Sequence, residues 1–205
     1  MSFYEDRILP HMINCACGSG TFHKQRDKVV PRAQGRVVEI GIGTGLNLTH
    51  YDPDKVECVI GIDPSEKSWE LAQERVKAVP FHVEYRGLSG DQIPLEDDSM
   101  DSAVVTYSLC TIPDPVAALL ELKRVVKPGG SIHFSEHGLA PEGKVMKWQN
   151  RINPIWKRIA GGCHINRDIA ALFAMAGITV PELETMYLPK TPKIAGFNVW
   201  GRAEV

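Results

Sequence analysis

The sequence predicts an α/β fold in which a parallel sheet carries helices on both faces. Three observations lead there. Short apolar runs rich in β-branched residues alternate with stretches of helical periodicity, the pattern of strand–helix–strand crossovers. The first such run, Val37-Val38-Glu39-Ile40, enters a turn with glycine at alternate positions, Gly41-Ile42-Gly43-Thr44-Gly45. The chain closes on two strand-like segments, 180–188 and 197–205, which read as an antiparallel pair. At 205 residues this is one ordinary domain with room for a sizeable core.

The elements follow in order. Residues 1–34 read as an accessory segment, helical in parts, interrupted at Gly18-Ser19-Gly20 and ending at Pro31. After the first strand, Leu46 to Tyr51 starts a short helix that Pro53 stops. Cys58 to Ile62 is the second strand and ends at Asp63. Pro64 and Ser65 open a helix carrying Trp69, Ala72, Val76 and Val79. Phe81 to Tyr85 and Ser102 to Tyr107 are the third and fourth strands. Asp114 caps the next helix with Pro115 in its first turn, and Pro128-Gly129-Gly130 stops it before a fifth strand, Ser131 to Ser135. An apolar stripe over 144–160 predicts a helix that Pro154 kinks or splits. Asn166 suits the N-cap of a last helix bearing Ile169, Leu172, Phe173 and Ala176, closed by Gly177.

Composition narrows the function. A net charge of −2 with scattered Lys and Arg gives no reason to expect a nucleic-acid partner. No apolar run reaches the length of a membrane span, and the start, Tyr4-Glu5-Asp6-Arg7, has no signal-peptide character. A soluble cytoplasmic protein is the expectation. The five cysteines, Cys15, Cys17, Cys58, Cys110 and Cys163, are odd in number and dispersed, which fits a reducing compartment. Their spacing matches no common metal motif, so no metal is expected.

The glycine turn carries the chemistry. Glycines remove every Cβ where a strand turns into a helix, so a ligand can lie on the backbone. A dinucleotide turn reads G-x-G-x-x-G and faces a pyrophosphate. Here the pattern is E-x-G-x-G-x-G, with the carboxylate of Glu39 ahead of the glycines, which suits a ligand bearing an ammonium group. Asp63 stands 22 residues after Gly41, at the end of the second strand, where a carboxylate can accept both hydroxyls of a ribose.

These residues resemble the first motifs of the class I S-adenosylmethionine (SAM) dependent methyltransferases. Lys127-Pro128-Gly129-Gly130 and the closing strand pair add to the likeness. Ile93-Pro94-Leu95-Glu96-Asp97-Asp98-Ser99-Met100-Asp101 is similar to a segment of the ubiquinone-biosynthesis-type methyltransferase domain. Cys110, Glu136-His137, Asn153-Pro154-Ile155-Trp156, Gly162-Cys163 and Asn166-Arg167 resemble the branch of alkyl-thiol methyltransferases. Relatives in that branch carry an apolar N-terminal anchor, which the polar start here replaces.

The resemblance implies a Rossmann-like, three-layer α/β/α fold with a seven-stranded, mostly parallel sheet and an antiparallel last strand over 35–205. It implies SAM as cofactor, held by Glu39, Gly41, Gly43, Thr44, Gly45, Asp63, Pro64, Leu88, Ser89 and Tyr107. Asp91 sits two positions out of register for the adenine contact. Tyr107, Cys110, His137 and Trp148 face the substrate, and 143–165 is an insert or lid. Methyl transfer is an in-line displacement that needs alignment more than a base. His137 is the candidate base if a proton must leave, ahead of His11 and His164. The acceptor is a small apolar molecule, with a thiol, a phenol or quinone, or a lipid headgroup open. A nicotinamide-dependent oxidoreductase, disfavoured by the glycine spacing, and a non-catalytic SAM-binding module are the alternatives.

Overall fold

In the computed structural model, which describes residues 8–205, seven strands form one sheet in the order β3-β2-β1-β4-β5-β7-β6. The strands are β1 (Gly35–Ile40), β2 (Val56–Ile62), β3 (His82–Arg86), β4 (Met100–Thr106), β5 (Val126–His137), β6 (Thr179–Tyr187) and β7 (Phe197–Glu204). The helices are α1 (Leu9–Cys17), α2 (Gly20–Val29), α3 (Glu66–Lys77), α4 (Pro115–Val125), α5 (Gly143–Ile159), α6 (Ile169–Met175) and the short α7 (Lys193–Gly196). The polar start, Tyr4 to Arg7, lies outside the described residues. Strands β1 to β5 pair in parallel, and β7 runs antiparallel to both β5 and β6. The expected topology, with its one reversed last strand, is therefore present.

Strand alternation builds two cores. Val38, Ile40, Ala103 and Val105 point to the face covered by α4 and α6, through Leu119, Leu122, Ile169 and Phe173. Val37, Val59 and Val104 point to the other face, with Val29 of α2 and Trp69 and Val76 of α3. Strands buried on both faces are continuously apolar for this reason. The sheet reverses its order between β1 and β4, so the carboxyl ends of these two strands flank the crevice where open α/β sheets bind ligands.

Four local expectations are corrected. Leu46 to Tyr51 forms only a 3-10 turn, Leu48–His50, because Tyr51 turns away to reach Glu39. The fifth strand starts at Val126, already paired with Met100, and the Pro-Gly-Gly stretch is a bulged excursion within it, with a register shift between Met100 and Ser102. Pro154 stands inside a continuous α5, so of the expected kink or split the split does not occur. Buried amides pin that helix: Gln149 binds Gly138 O, Ile165 O and Ala140 N, and Asn153 Oδ1 accepts from Ile165 N. The cap of α6 is Asp168, which accepts from Ala171 N, since the Asn166 amide donates to Asn150 Oδ1 on α5.

Candidate active site

At the end of β1 the chain turns through Gly41, Gly43 and Gly45, all with positive φ. A Cβ on Gly41 would lie 2.0 Å from Ser108 Oγ, so that glycine is fixed by packing. A Cβ on Gly43 would meet nothing closer than 3.8 Å. Gly43 is thus the residue that leaves open space on the ligand side of the backbone. Its N–H donates to Asp63 Oδ2 at 3.0 Å, and Asp63 Oδ1 accepts from Ser65 N at 2.8 Å. Burial raises the Asp63 carboxyl, and these two N–H groups offset part of that rise. Pro64 follows, exposed, and Tyr85 OH holds Asp63 O.

Glu39 is buried beneath this turn. Its Oε1 accepts from Asn47 Nδ2 at 2.9 Å and its Oε2 from Tyr51 OH at 2.6 Å. Burial pushes its carboxyl up to about 7, with the Tyr51 and Asn47 hydrogen bonds pulling back. Asn47 also donates to Thr106 Oγ1 and accepts from Nε of the buried Arg26 at 3.0 Å. Arg26 comes from α2, and its other arm donates to Cys17 O at the end of α1. The guanidinium stands 5.5 Å from the Tyr107 ring centroid, so the cation over that ring is Arg26.

These groups line a partly open pocket of about 70 Å³ among Ile13, Cys17, Arg26, Glu39, Gly43 and Tyr107, together with Gly41 and Thr44. That is room for about two waters. Helices α1 and α2 border it: Thr44 Oγ1 donates to Asn14 Oδ1, and His23, His50 and Asp27 form a chain with contacts of 2.7 Å each. Gly45, Asp63, Pro64, Leu88 and Ser89 lie outside the lining. Leu88 and Ser89 sit on the connection after β3, which passes the end of β1 where Gly90 packs on Ile40. A larger cavity, about 190 Å³, lies at the opposite, amino ends of the strands among Arg32, Asp101, His133 and Arg202. It is remote from the glycine turn and is not the candidate site.

Beyond the cavity, β4 and β5 end in a cluster. Tyr107 has φ 54°, a left-handed conformation for a bulky residue, and its OH donates to Asn198 Oδ1. Its ring meets Phe22 at 4.8 Å and His137 at 6.2 Å between centroids. The fully buried Glu136 accepts on Oε1 from Ser108 N and Leu109 N, while Oε2 has no hydrogen-bond partner among the described residues. Burial drives its carboxyl up to about 7. Cys163 Sγ lies 3.1 Å from His137 Nε2. The Cys110 thiol and burial push the Cys163 thiol far up, so it meets His137 as a neutral hydrogen-bond partner. Trp148, expected to face the substrate, is instead 55% exposed on α5 and packs near the Arg151 guanidinium. His164 contacts Asn153, away from the cavity lining.

The methyltransferase domain family matches residues 38–134. Rat thiol S-methyltransferase TMT1B (Rattus norvegicus) is 34% identical over 171 residues, covering 78% of this chain and 68% of the relative. The chain belongs to the class I SAM-dependent methyltransferases. Human thiol S-methyltransferase TMT1A is 27% identical over 84% of this methyltransferase and 72% of its own length. A phosphatidylethanolamine N-methyltransferase of Cereibacter sphaeroides is 30% identical over 53% of the chain and 54% of its own. A methyltransferase crystal structure from Bacillus halodurans superposes with a TM-score of 0.72 at 14% identity, over 89% of this chain and 97% of that one, which shows the shared fold. The methyltransferase uses SAM as its methyl donor and acts on a small molecule. The oxidoreductase and the non-catalytic module are set aside.

Four residues of the site were not singled out from the sequence: Arg26, Asn47, Tyr51 and Thr106. Asn47 and Tyr51, 8 and 12 residues after Glu39, belong to the turn that was read as a helix. Arg26 sits on an amphipathic-looking helix where an arginine ordinarily reads as solvated, and nothing local marks it as buried.

Proposed function

We propose that this methyltransferase transfers the methyl group of SAM to the sulfur of a small apolar thiol. The observation that carries the acceptor is the 171-residue likeness to thiol S-methyltransferases, longer than the domain match over 38–134. The donor set fits the cofactor. Glu39 offers a carboxylate to an ammonium, Gly43 an open backbone face, and Asp63 a carboxylate beside it for the ribose hydroxyls. Thr44, Gly41 and Gly45 complete the loop, with Pro64, Leu88 and Ser89 on the adenosine side. Arg26 is a ready partner for the carboxylate end of an amino acid. The cavity is far smaller than the cofactor, so α1 and α2 act as a cover that must lift for entry.

When bound, SAM supplies a methyl on a sulfonium, a leaving group that needs no acid. The protein's part is to exclude water and hold the acceptor in line. Tyr107 and Cys110, at the end of β4, shape the acceptor side. His137 Nε2 is committed to Cys163, which supports a positioning role over that of a free base. Net charge −2 supports a small-molecule substrate without nucleic acid, and five free cysteines support a reducing compartment such as the cytoplasm. Among the described residues no helix is long and apolar enough to cross a membrane.

Turnover with methyl-labelled SAM against alkyl thiols, phenols and an ethanolamine lipid tests the reading. Label is expected in the thioether, with one demethylated cofactor formed per methyl moved. Labelling of phenol or lipid with none in any thiol would overturn the acceptor.

A further inference from the structure

We propose that Cys110, His137 and Cys163 form a binding site for a thiophilic metal ion of the Zn2+ class, with one coordination position left open. The three donor atoms lie within 4.8 Å of one another, although the residues are far apart in sequence. Cys110 and Cys163 are buried and His137 is partly so. Two thiols and one imidazole nitrogen are the donor types of tetrahedral zinc. Donors around zinc stand roughly 3.5–3.8 Å apart, given bonds of about 2.0–2.3 Å. The Cys163–His137 pair, at 3.1 Å, is already near that spacing, and the widest pair has only to close by about 1 Å, a side-chain rotation.

Each donor is set by a device that ordinary packing does not require. Cys110 lies on a turn whose backbone N–H groups, from Ser108 and Leu109, are gathered by Glu136 Oε1. His137 is the last residue of β5. Cys163 is returned to the cluster by Gly161 and Gly162, both with positive φ, and the turn is tied down by His164 N donating to Cys110 O at 2.8 Å. Beside them, the buried Glu136 keeps an oxygen with no hydrogen-bond partner among the described residues. An ionised carboxylate oxygen left unpaired in a buried cluster is costly, and a cation beside it offsets that cost.

Three protein donors leave the fourth tetrahedral position free, which is the form of a catalytic rather than a structural zinc site. The cluster adjoins Tyr107, at the acceptor end. A thiol entering there would form a sulfur–metal bond and release its proton to solvent, so the acceptor would stand as a thiolate. That link to the acceptor rests on the thiol reading above. The ion site itself rests only on the donors.

Metal uptake by the whole, phosphine-reduced protein is the test, with Zn2+ and with Co2+ as a spectroscopic stand-in. One equivalent should bind, and the Co2+ form should show thiolate-to-cobalt charge transfer and the strong visible bands of a tetrahedral ion. Cys110→Ser and Cys163→Ser should each weaken Zn2+ binding by about a hundredfold or more, above what loss of a merely supporting residue costs. Cys58→Ser should bind normally. No stoichiometric uptake by protein shown folded by circular dichroism would overturn the site, as would charge transfer surviving in the Cys110→Ser, Cys163→Ser double variant. Formation of a Cys110–Cys163 disulfide in place of metal uptake would also overturn it. Adding an alkyl thiol to the Co2+ form should strengthen the charge-transfer band, and an unchanged spectrum would overturn the link to the acceptor. SAM titrated by calorimetry into the metal-free protein reads the cofactor site separately, so failure of one does not imply failure of the other.

Discussion

At the scale of single residues, Glu39 is where charge and burial compete most directly. Its folded carboxyl holds a proton up to about pH 7, while an unfolded one releases it near 4.5. The folded state therefore binds more protons between those values, and stability falls as pH rises through the window. Urea unfolding of the cofactor-free protein from pH 4.5 to 8 should show that fall, at most ~3 kcal/mol from this one group. Glu39→Gln should make the slope shallower, while Glu136 keeps part of it. Asp63→Ala should weaken SAM binding by about 1.5–3 kcal/mol, the usual worth of a charged hydrogen-bond partner. Unchanged affinity in calorimetry would remove Asp63 from the ribose site. Both carboxylates were legible in the sequence because each ends a strand beside a glycine or proline turn. The hydrogen bonds that tune them come from Asn47 and Tyr51, polar residues whose partners depend on how a six-residue turn closes.

At the scale of elements, α1 and α2 are held to the domain by polar links as well as by the apolar contacts of Val29 and Phe22. The polar links include Arg26 to Asn47, Asn14 to Thr44, and the His23–His50–Asp27 chain. His50→Ala cuts two of them at once. Hydrogen exchange in α2 should then rise about fivefold, corresponding to ~1 kcal/mol, with α4 and β4 unchanged. Equal acceleration throughout the protein would show global destabilisation and remove the cover's independence. The helical character of residues 9–29 was readable from the sequence, but where those helices dock was not. Docking depends on Arg26 and Asn14 meeting partners 21 and 30 residues away, and periodicity carries no information at that range. The same limit applies to α5. Its apolar stripe suggested a lid, yet Trp148 and Ile155 are exposed, and the buried face is built on the amides of Gln149 and Asn153.

Across the whole molecule, the strands and their parallel character were legible because each strand is marked twice, by its β-branched run and by the turn that ends it. Parallel crossovers of one hand then leave few arrangements. The convergence of Cys110, His137 and Cys163 was not legible, since it is produced by topology: β4 and β5 are neighbours, and the Gly161-Gly162 turn folds back over both. Cysteine spacing along the chain predicts local metal loops only, so a site assembled from three distant elements gives no motif.

The small pocket beside α1 and α2 has a kinetic consequence. Where cofactor entry displaces α1 and α2, which line the pocket through Ile13, Cys17 and Arg26, apparent affinity is the intrinsic affinity scaled by the fraction of molecules in which they are displaced. With about one molecule in a hundred open, binding is measured about a hundredfold weaker than the pocket itself provides. The same polar links would slow the escape of the demethylated cofactor, so turnover would be paced by how often the cover opens, with the methyl transfer itself waiting on that gate.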